Sequence, residues 1–196
     1  MDSSSYSIAI IKPDAHRDMM AEMIGRDLEE GGLDVIFRKD IVFSEVQAKI
    51  IYLKELEGHP NLSGAIKSIL GTEKNNLSTI LILKSKEGQN GLAKAVNIKG
   101  KVGKGGIRAK YNLYSREELE SGGFTGDELS SELAKNRLHV PDTDSEAFEI
   151  MSMLLTEKDK NELKYREPEL YNELERMIKS REVTLEPERP RELKSR

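Results

Sequence analysis

"LSTILILK", residues 77–84, is the most apolar stretch of the chain. A short continuous apolar run of this kind suits a strand buried on both faces. It is therefore read as a central strand, and the elements on either side as its neighbours. Upstream, residues 5–11 alternate as a strand that "KPD" (12–14) stops, because proline lacks a ladder donor; Lys12 is left at a strand end. Met20, Met23, Ile24 and Leu28 recur at helical spacing within residues 16–30, and Gly31-Gly32 closes that helix. Residues 33–43 alternate as a second strand. "SEVQ" (44–47) has the form of a capping box and opens a helix to about residue 56, and a shorter helix over 61–70 ends at Gly71.

Downstream, a helix is expected over 88–96, then a Gly/Lys loop, then a fourth strand over 110–114. Two polar helical pieces, 115–121 and 125–135, read as an insertion. Residues 145–155 form a helix with Ala147, Ile150, Met151, Leu154 and Leu155 on one face. This order gives an α+β fold of the ferredoxin-like, split βαβ type: a four-stranded antiparallel sheet with helices covering one face. Residues 1–156 are read as one domain with an insertion at about 115–135. Residues 157–196, with 11 acidic and 11 basic side chains, are read as a charged helical extension. Leu163, Leu170, Leu174, Met177 and Ile178 carry its helical spacing, Pro168 suits a first turn, and the end beyond Val183 is expected to be disordered.

The absence of cysteine excludes disulfides, thiolate nucleophiles and Cys-containing zinc sites. With only three histidines (His16, His59, His139), any metal is expected to be held mainly by oxygen. No apolar run approaches the roughly 20 residues of a membrane span, and the start has neither a basic n-region nor a signal-length apolar segment. The chain is read as cytoplasmic, with no membrane partner. Its net charge of −4 argues against nucleic acid as a partner. Against that acidic balance, residues 94–110 carry six basic side chains and no acid, a local anion site. The glycines there fit neither a Walker loop nor a Gly-x-Gly-x-x-Gly loop: Gly106 stands where the first requires lysine, and Arg108 where the second requires glycine.

"IAIIKPDA" (8–15), "GGIRAKY" (105–111) and "KNRLHVPDTDSEAFEI" (135–150), in this order with the apolar strand between them, resemble the nucleoside diphosphate kinases. The patterns of that family are strand-I-K-P-D, G-T-I-R-G-D-F/Y, and N-hydrophobic-hydrophobic-H-G/A-S-D followed by a helix with a glutamate. The likeness covers about residues 5–155. It implies a ping-pong phosphotransferase that passes the γ-phosphate of a nucleoside triphosphate to a nucleoside diphosphate, with Mg²⁺ bound with the nucleotide, in a homo-oligomer.

His139 lies at the nucleophile position. A neutral imidazole is available near pH 7 and forms a labile phosphoramidate, which suits reversible exchange. Glu149 matches the helix glutamate that orients the histidine. Lys12 and Arg108 match the cations around the travelling phosphoryl group, Asn136 an asparagine near sugar and phosphate, and Tyr52 a tyrosine that lines the site. A second family arginine is missing here, so that Lys94, Lys99, Lys101 or Lys104 is left to supply its charge. The base-stacking aromatic is replaced by Asn61 and Leu62, which leaves Asn61 as a nucleotide contact. Those departures keep a second class open: a nucleotide-binding or scaffolding module with the same fold and weak or lost transfer.

Overall fold

The computed structural model describes residues 4–56, 62–88, 90–100, 105–112 and 114–185. The chain divides into two compact units, residues 1–150 and 151–196.

The first unit is built on β1 (Tyr6–Ile11), α1 (Pro13–Arg17), α2 (Ala21–Glu30), β2 (Leu33–Val42), α3 (Glu45–Leu56), α4 (Leu62–Leu70) and β3 (Leu77–Ser85). Then come α5 (Gly91–Lys99), α6 (Gly106–Tyr111), α7 (Arg116–Ser121), α8 (Gly126–Ala134), β4 (Leu138–His139) and α9 (Asp144–Leu154), the last of which runs across the unit boundary. The strands form one antiparallel sheet in the order β2-β3-β1-β4. The stretch at 77–84 is indeed central: β3 pairs with β1 on one side and β2 on the other. All of β1 and most of β3 are buried on both faces, so these two central strands are covered on both sides and not on the one face expected, whereas β2 keeps exposed positions along its length. Over one face, Ala9, Ile11, Leu81 and Leu83 pack with Ile24 and Leu28 of α2, Ala95 of α5, and Ile107 and Tyr111 of α6.

The expected fourth strand at 110–114 is not there. Ile107 and Tyr111, four residues apart, are both buried on one face of α6, which is helical and not strand spacing. The place beside β1 is taken instead by β4, two residues long, with Ile10 opposite His139 and Ile11 opposite Leu138. The helix read over 16–30 is interrupted, because Met19 takes a left-handed φ of 57° between α1 and α2. Likewise α5 begins at Gly91 and not at 88, because Gly88 (φ 72°) and Asn90 (φ 51°) both leave the right-handed region that a helix needs. The Ser44 box forms as read: the Gln47 N–H donates to Ser44 Oγ at 3.3 Å, and the Ser44 N–H to Gln47 Oε1 at 3.0 Å.

The insertion folds as the two expected helices, α7 and α8, with a second capping box in which the Glu118 N–H donates to Ser115 Oγ. The second unit contains α10 (Glu157–Arg166) and α11 (Pro168–Leu185), the latter with its proline in the first turn. Helix α11 continues past Val183; residues 186–196, expected to be disordered, lie outside the described residues.

Candidate active site

The β1–β4 register assembles the site. Lys12 directly follows β1, and its N–H donates to the carbonyl of Arg137 (2.9 Å), one residue before β4. Side chains separated by more than a hundred residues are thereby brought to one end of the sheet. His139 is 3% exposed. The Tyr52 ring, from α3, meets the imidazole edge-on, with centroids 5.0 Å apart and planes at 72°. Lys12, 2% exposed, lies with Nζ 5.8 Å from the centroid of that tyrosine ring. Its ammonium donates to Ser68 Oγ (3.1 Å) and to the carbonyl of Ala134 (2.8 Å), the last residue of α8. A cation at a helix C-terminus meets the negative end of the helix dipole.

The carbonyls on either side of His139 are both held by cations. Arg108 donates through Nε (3.3 Å) and Nη2 (3.1 Å) to the Leu138 carbonyl. Lys99 donates to the Val140 carbonyl (2.9 Å) and lies 3.5 Å from Asp142 Oδ1. The imidazole therefore sits in a buried, positive field. Burial first, then the charges of Lys12, Lys99 and Arg108, pull its pKa well below the ordinary 6.5. The ring is neutral at neutral pH, its lone pair available.

A carboxyl group of α9 faces the ring: Oε1 of Glu146 lies 4.0 Å from His139 Nε2. Both of these atoms are buried with no hydrogen-bond partner among the described residues. Burial raises the pKa of Glu146, so the contact joins a neutral ring to a carboxyl reluctant to ionise and is not an ordinary ion pair. The other oxygen, Oε2, accepts from the Asp142 N–H (3.1 Å), and the Glu146 N–H donates to Thr143 Oγ1 (3.2 Å). Glu146 thus folds back over the start of α9 in the manner of a cap. The likeness to the family motif points to Glu149, whereas "TDSE" (143–146) has the capping-box form that points to Glu146. Glu149 lies about one turn further on, half-buried, and its charge adds to the upward shift at Glu146.

Asn136 is half-buried three residues before His139, with its Oδ1 buried and unpartnered among the described residues. Its backbone carbonyl accepts from the Leu138 N–H (2.7 Å). Lys94 stands apart: α5 starts beside Ser4 at the beginning of β1 and ends at Lys99 beside Val140, and Lys94 pairs with Glu87 (2.9 Å) near the starting end. Of the lysines considered for the missing arginine's charge, Lys99 is the described one that reaches the histidine strand; Lys101 and Lys104 lie outside the described residues, as does Asn61. Among the described residues no group of three or more His, Asp or Glu could hold a metal ion, and no helix is long and apolar enough to cross a membrane.

No family model matches the chain. A curated nucleoside diphosphate kinase of Methylobacterium nodulans is 27% identical over 134 residues, which cover 66% of this chain and 90% of that protein. Among solved structures, the nucleoside-diphosphate kinase of Borrelia burgdorferi, a transition-state mimic with vanadate and ADP bound, superposes with a TM-score of 0.59 at 16% identity, covering 79% of this chain and 88% of that one. An NDP kinase from Pyrobaculum aerophilum gives 0.58 at 18% identity, over 79% of this chain and 97% of that one. The α+β architecture is therefore that of the nucleoside diphosphate kinases. Taken with the relative in sequence, the chain is similar to nucleoside diphosphate kinases, at the distance of a divergent relative.

Proposed function

We propose that the chain transfers the γ-phosphate of a nucleoside triphosphate to a nucleoside diphosphate through a phosphohistidine at His139. The observation that carries this reading is a neutral, buried imidazole in the field of Lys12, Lys99 and Arg108. Phosphoryl transfer needs fixed positive charge around a group whose own oxygens spread the negative charge, and a nucleophile already deprotonated. Both needs are met here. Glu146 faces Nε2, so the attacking atom in this reading is Nδ1. Its lone pair forms the N–P bond while the bond from phosphorus to the bridging oxygen breaks, and the departing diphosphate keeps the electron pair. The same steps reversed discharge the group onto a second nucleoside diphosphate.

The ring gains positive charge as Nδ1 is phosphorylated, and a carboxylate at Nε2 stabilises it while fixing the Nε2–H tautomer. We assign that task to Glu146, in place of Glu149. Arg108, presented from α6, and Lys12 are the cations nearest the path. The free Oδ1 of Asn136 is an acceptor for a sugar hydroxyl. Mg²⁺ belongs to this reading as an ion carried mainly by the nucleotide's phosphate oxygens, where it would neutralise charge on the leaving group. A homo-oligomer completes it, for which light scattering is the check; a monomeric mass removes that element alone.

Incubation with radiolabelled ATP and Mg²⁺ should give an acid-labile, base-stable phosphoprotein that added GDP discharges, and His139→Ala should abolish the label. Nucleotide binding without label in the parent chain refutes transfer and leaves a binding module.

A further inference from the structure

Position 137 is apolar in the pattern N-hydrophobic-hydrophobic-H; in this chain it is an arginine, and it is buried, 1% exposed. Its backbone is unusual as well. Arg137 has a φ of +66°, and the Leu138 N–H donates across it to the Asn136 carbonyl at 2.7 Å. An i to i+2 hydrogen bond around a positive φ is the rare, strained form of γ-turn, and a side chain with a Cβ adopts it only where the surroundings hold it there. The turn lies two residues before His139.

Arg137 is held through its backbone and its side chain alike. Its N–H donates to Asp14 Oδ2 (3.2 Å) and its carbonyl accepts from the Lys12 N–H (2.9 Å). The guanidinium donates through Nε to the Tyr111 carbonyl (3.1 Å), and through Nη1 to the Asp14 carbonyl (2.8 Å) and to Asp18 Oδ2 (2.5 Å). Asp18 is in turn fixed by a two-pronged contact with Arg17 (2.7 and 3.0 Å). One side chain thus ties the start of β4 to both ends of α1 and to the end of α6, the helix that carries Arg108. A fork of fixed donors can satisfy three acceptors in different directions, which neither leucine nor lysine can copy.

We propose that Arg137 is a positioning residue for His139: its guanidinium, clamped among Asp14, Asp18 and the Tyr111 carbonyl, holds the left-handed turn that sets the imidazole against Lys12 and Arg108. This rests on His139 being the phosphoryl acceptor.

The test compares Arg137→Leu, Arg137→Gly and Asp18→Asn in the full chain. It measures single-turnover labelling by radiolabelled ATP with Mg²⁺, the dissociation constant for ADP, thermal unfolding, and NMR of isotope-labelled histidine rings. Leu removes the fork and keeps the strain; Gly removes the fork and accepts the positive φ without strain. Both are expected to slow labelling about tenfold or more, the scale on which partners of a reacting group act, with ADP affinity unchanged. Both are also expected to move the His139 ring signals. Asp18→Asn keeps the arginine and weakens one arm, so a smaller loss, about threefold, is expected from a protein that still folds. Parental labelling rates in folded Arg137→Leu or Arg137→Gly overturn the proposal. If neither folds, a parental rate in Asp18→Asn overturns it. If the parent chain takes no label, the proposed function has failed, and the ring signals decide this inference by themselves: signals identical in parent and variants refute it.

Discussion

Replacing Glu146 by glutamine separates the carboxylate the structure brings to the ring from the one the sequence suggested. Glu146 serves two acceptor needs, the Asp142 N–H at Oε2 (3.1 Å) and the Nε2 side of His139 at Oε1 (4.0 Å). Glutamine offers one oxygen and one NH₂. If the oxygen keeps the backbone contact, the NH₂ faces Nε2 and favours the tautomer with the proton on Nδ1, the atom that must attack. The gap of 4.0 Å has to close to about 2.9 Å for a hydrogen bond, which happens as the ring becomes positive during transfer. A hydrogen bond to a charged partner contributes about 1.5–3 kcal/mol, and 1.36 kcal/mol is a factor of ten, so single-turnover labelling should fall roughly ten- to a hundredfold. Stability should move the other way or not at all. Burial raises the Glu146 pKa, so the folded state resists its ionisation and loses stability as pH rises past the unfolded value of 4.5; the neutral glutamine does not. The assay is quench-flow labelling of Glu146→Gln and Glu149→Gln beside thermal melts. Labelling by Glu146→Gln within twofold of the parent, with the drop appearing in Glu149→Gln instead, refutes the reasoning.

The depressed pKa of His139 predicts a labelling rate that stays flat from about pH 8 to 6.5 and falls only well below it; Lys99→Ala should move that acid limb upward by removing one of the charges that lower the pKa. The same shift acts on stability: below 6.5 the unfolded chain takes a proton that the folded ring refuses, so stability falls as pH drops from 6.5 toward the folded value, and urea titrations of His139→Gln should show a shallower slope in that window. His16, also lowered by burial, contributes with the same sign and keeps the slope from vanishing. Asp18, held by Arg17 and Arg137 at a pKa lowered from 3.8 to about 2, adds stability that is present above 3.8 and lost as pH falls to about 2; Asp18→Asn should flatten the acid-unfolding curve there. Lys12→Ala should cut labelling at least tenfold and also reduce stability by about 1–3 kcal/mol in urea unfolding, because the Ala134 carbonyl and Ser68 Oγ lose their donor.

Much of the fold was legible because its signals are local. The alternation of 5–11 and 33–43, the apolar run at 77–84, the Ser44 capping box and the helices of the insertion each depend on residues within a turn or a strand length, and each forms close to where it was read. The fourth strand was not legible. Two residues cannot display a period, and Leu138–His139 is a strand only because β1 offers it a partner.

The site divides along the same line. The sequence by itself supplied the chemical groups: one imidazole between a basic run and a helix start, a lysine at the end of a strand, an arginine after the glycines. Only the tertiary structure decided which of them meet. It brought Glu146 to 4.0 Å from the ring, reached the histidine strand with Lys99 while Lys94 paired with Glu87, and tied Arg137, buried two residues before the histidine, to the Asp14 carbonyl. The physical reason is that periodicity says which face a residue occupies, whereas distance across the sheet is set by register. The pairing of Ile10 with His139 is a contact between segments far apart in the chain, and no local pattern records it.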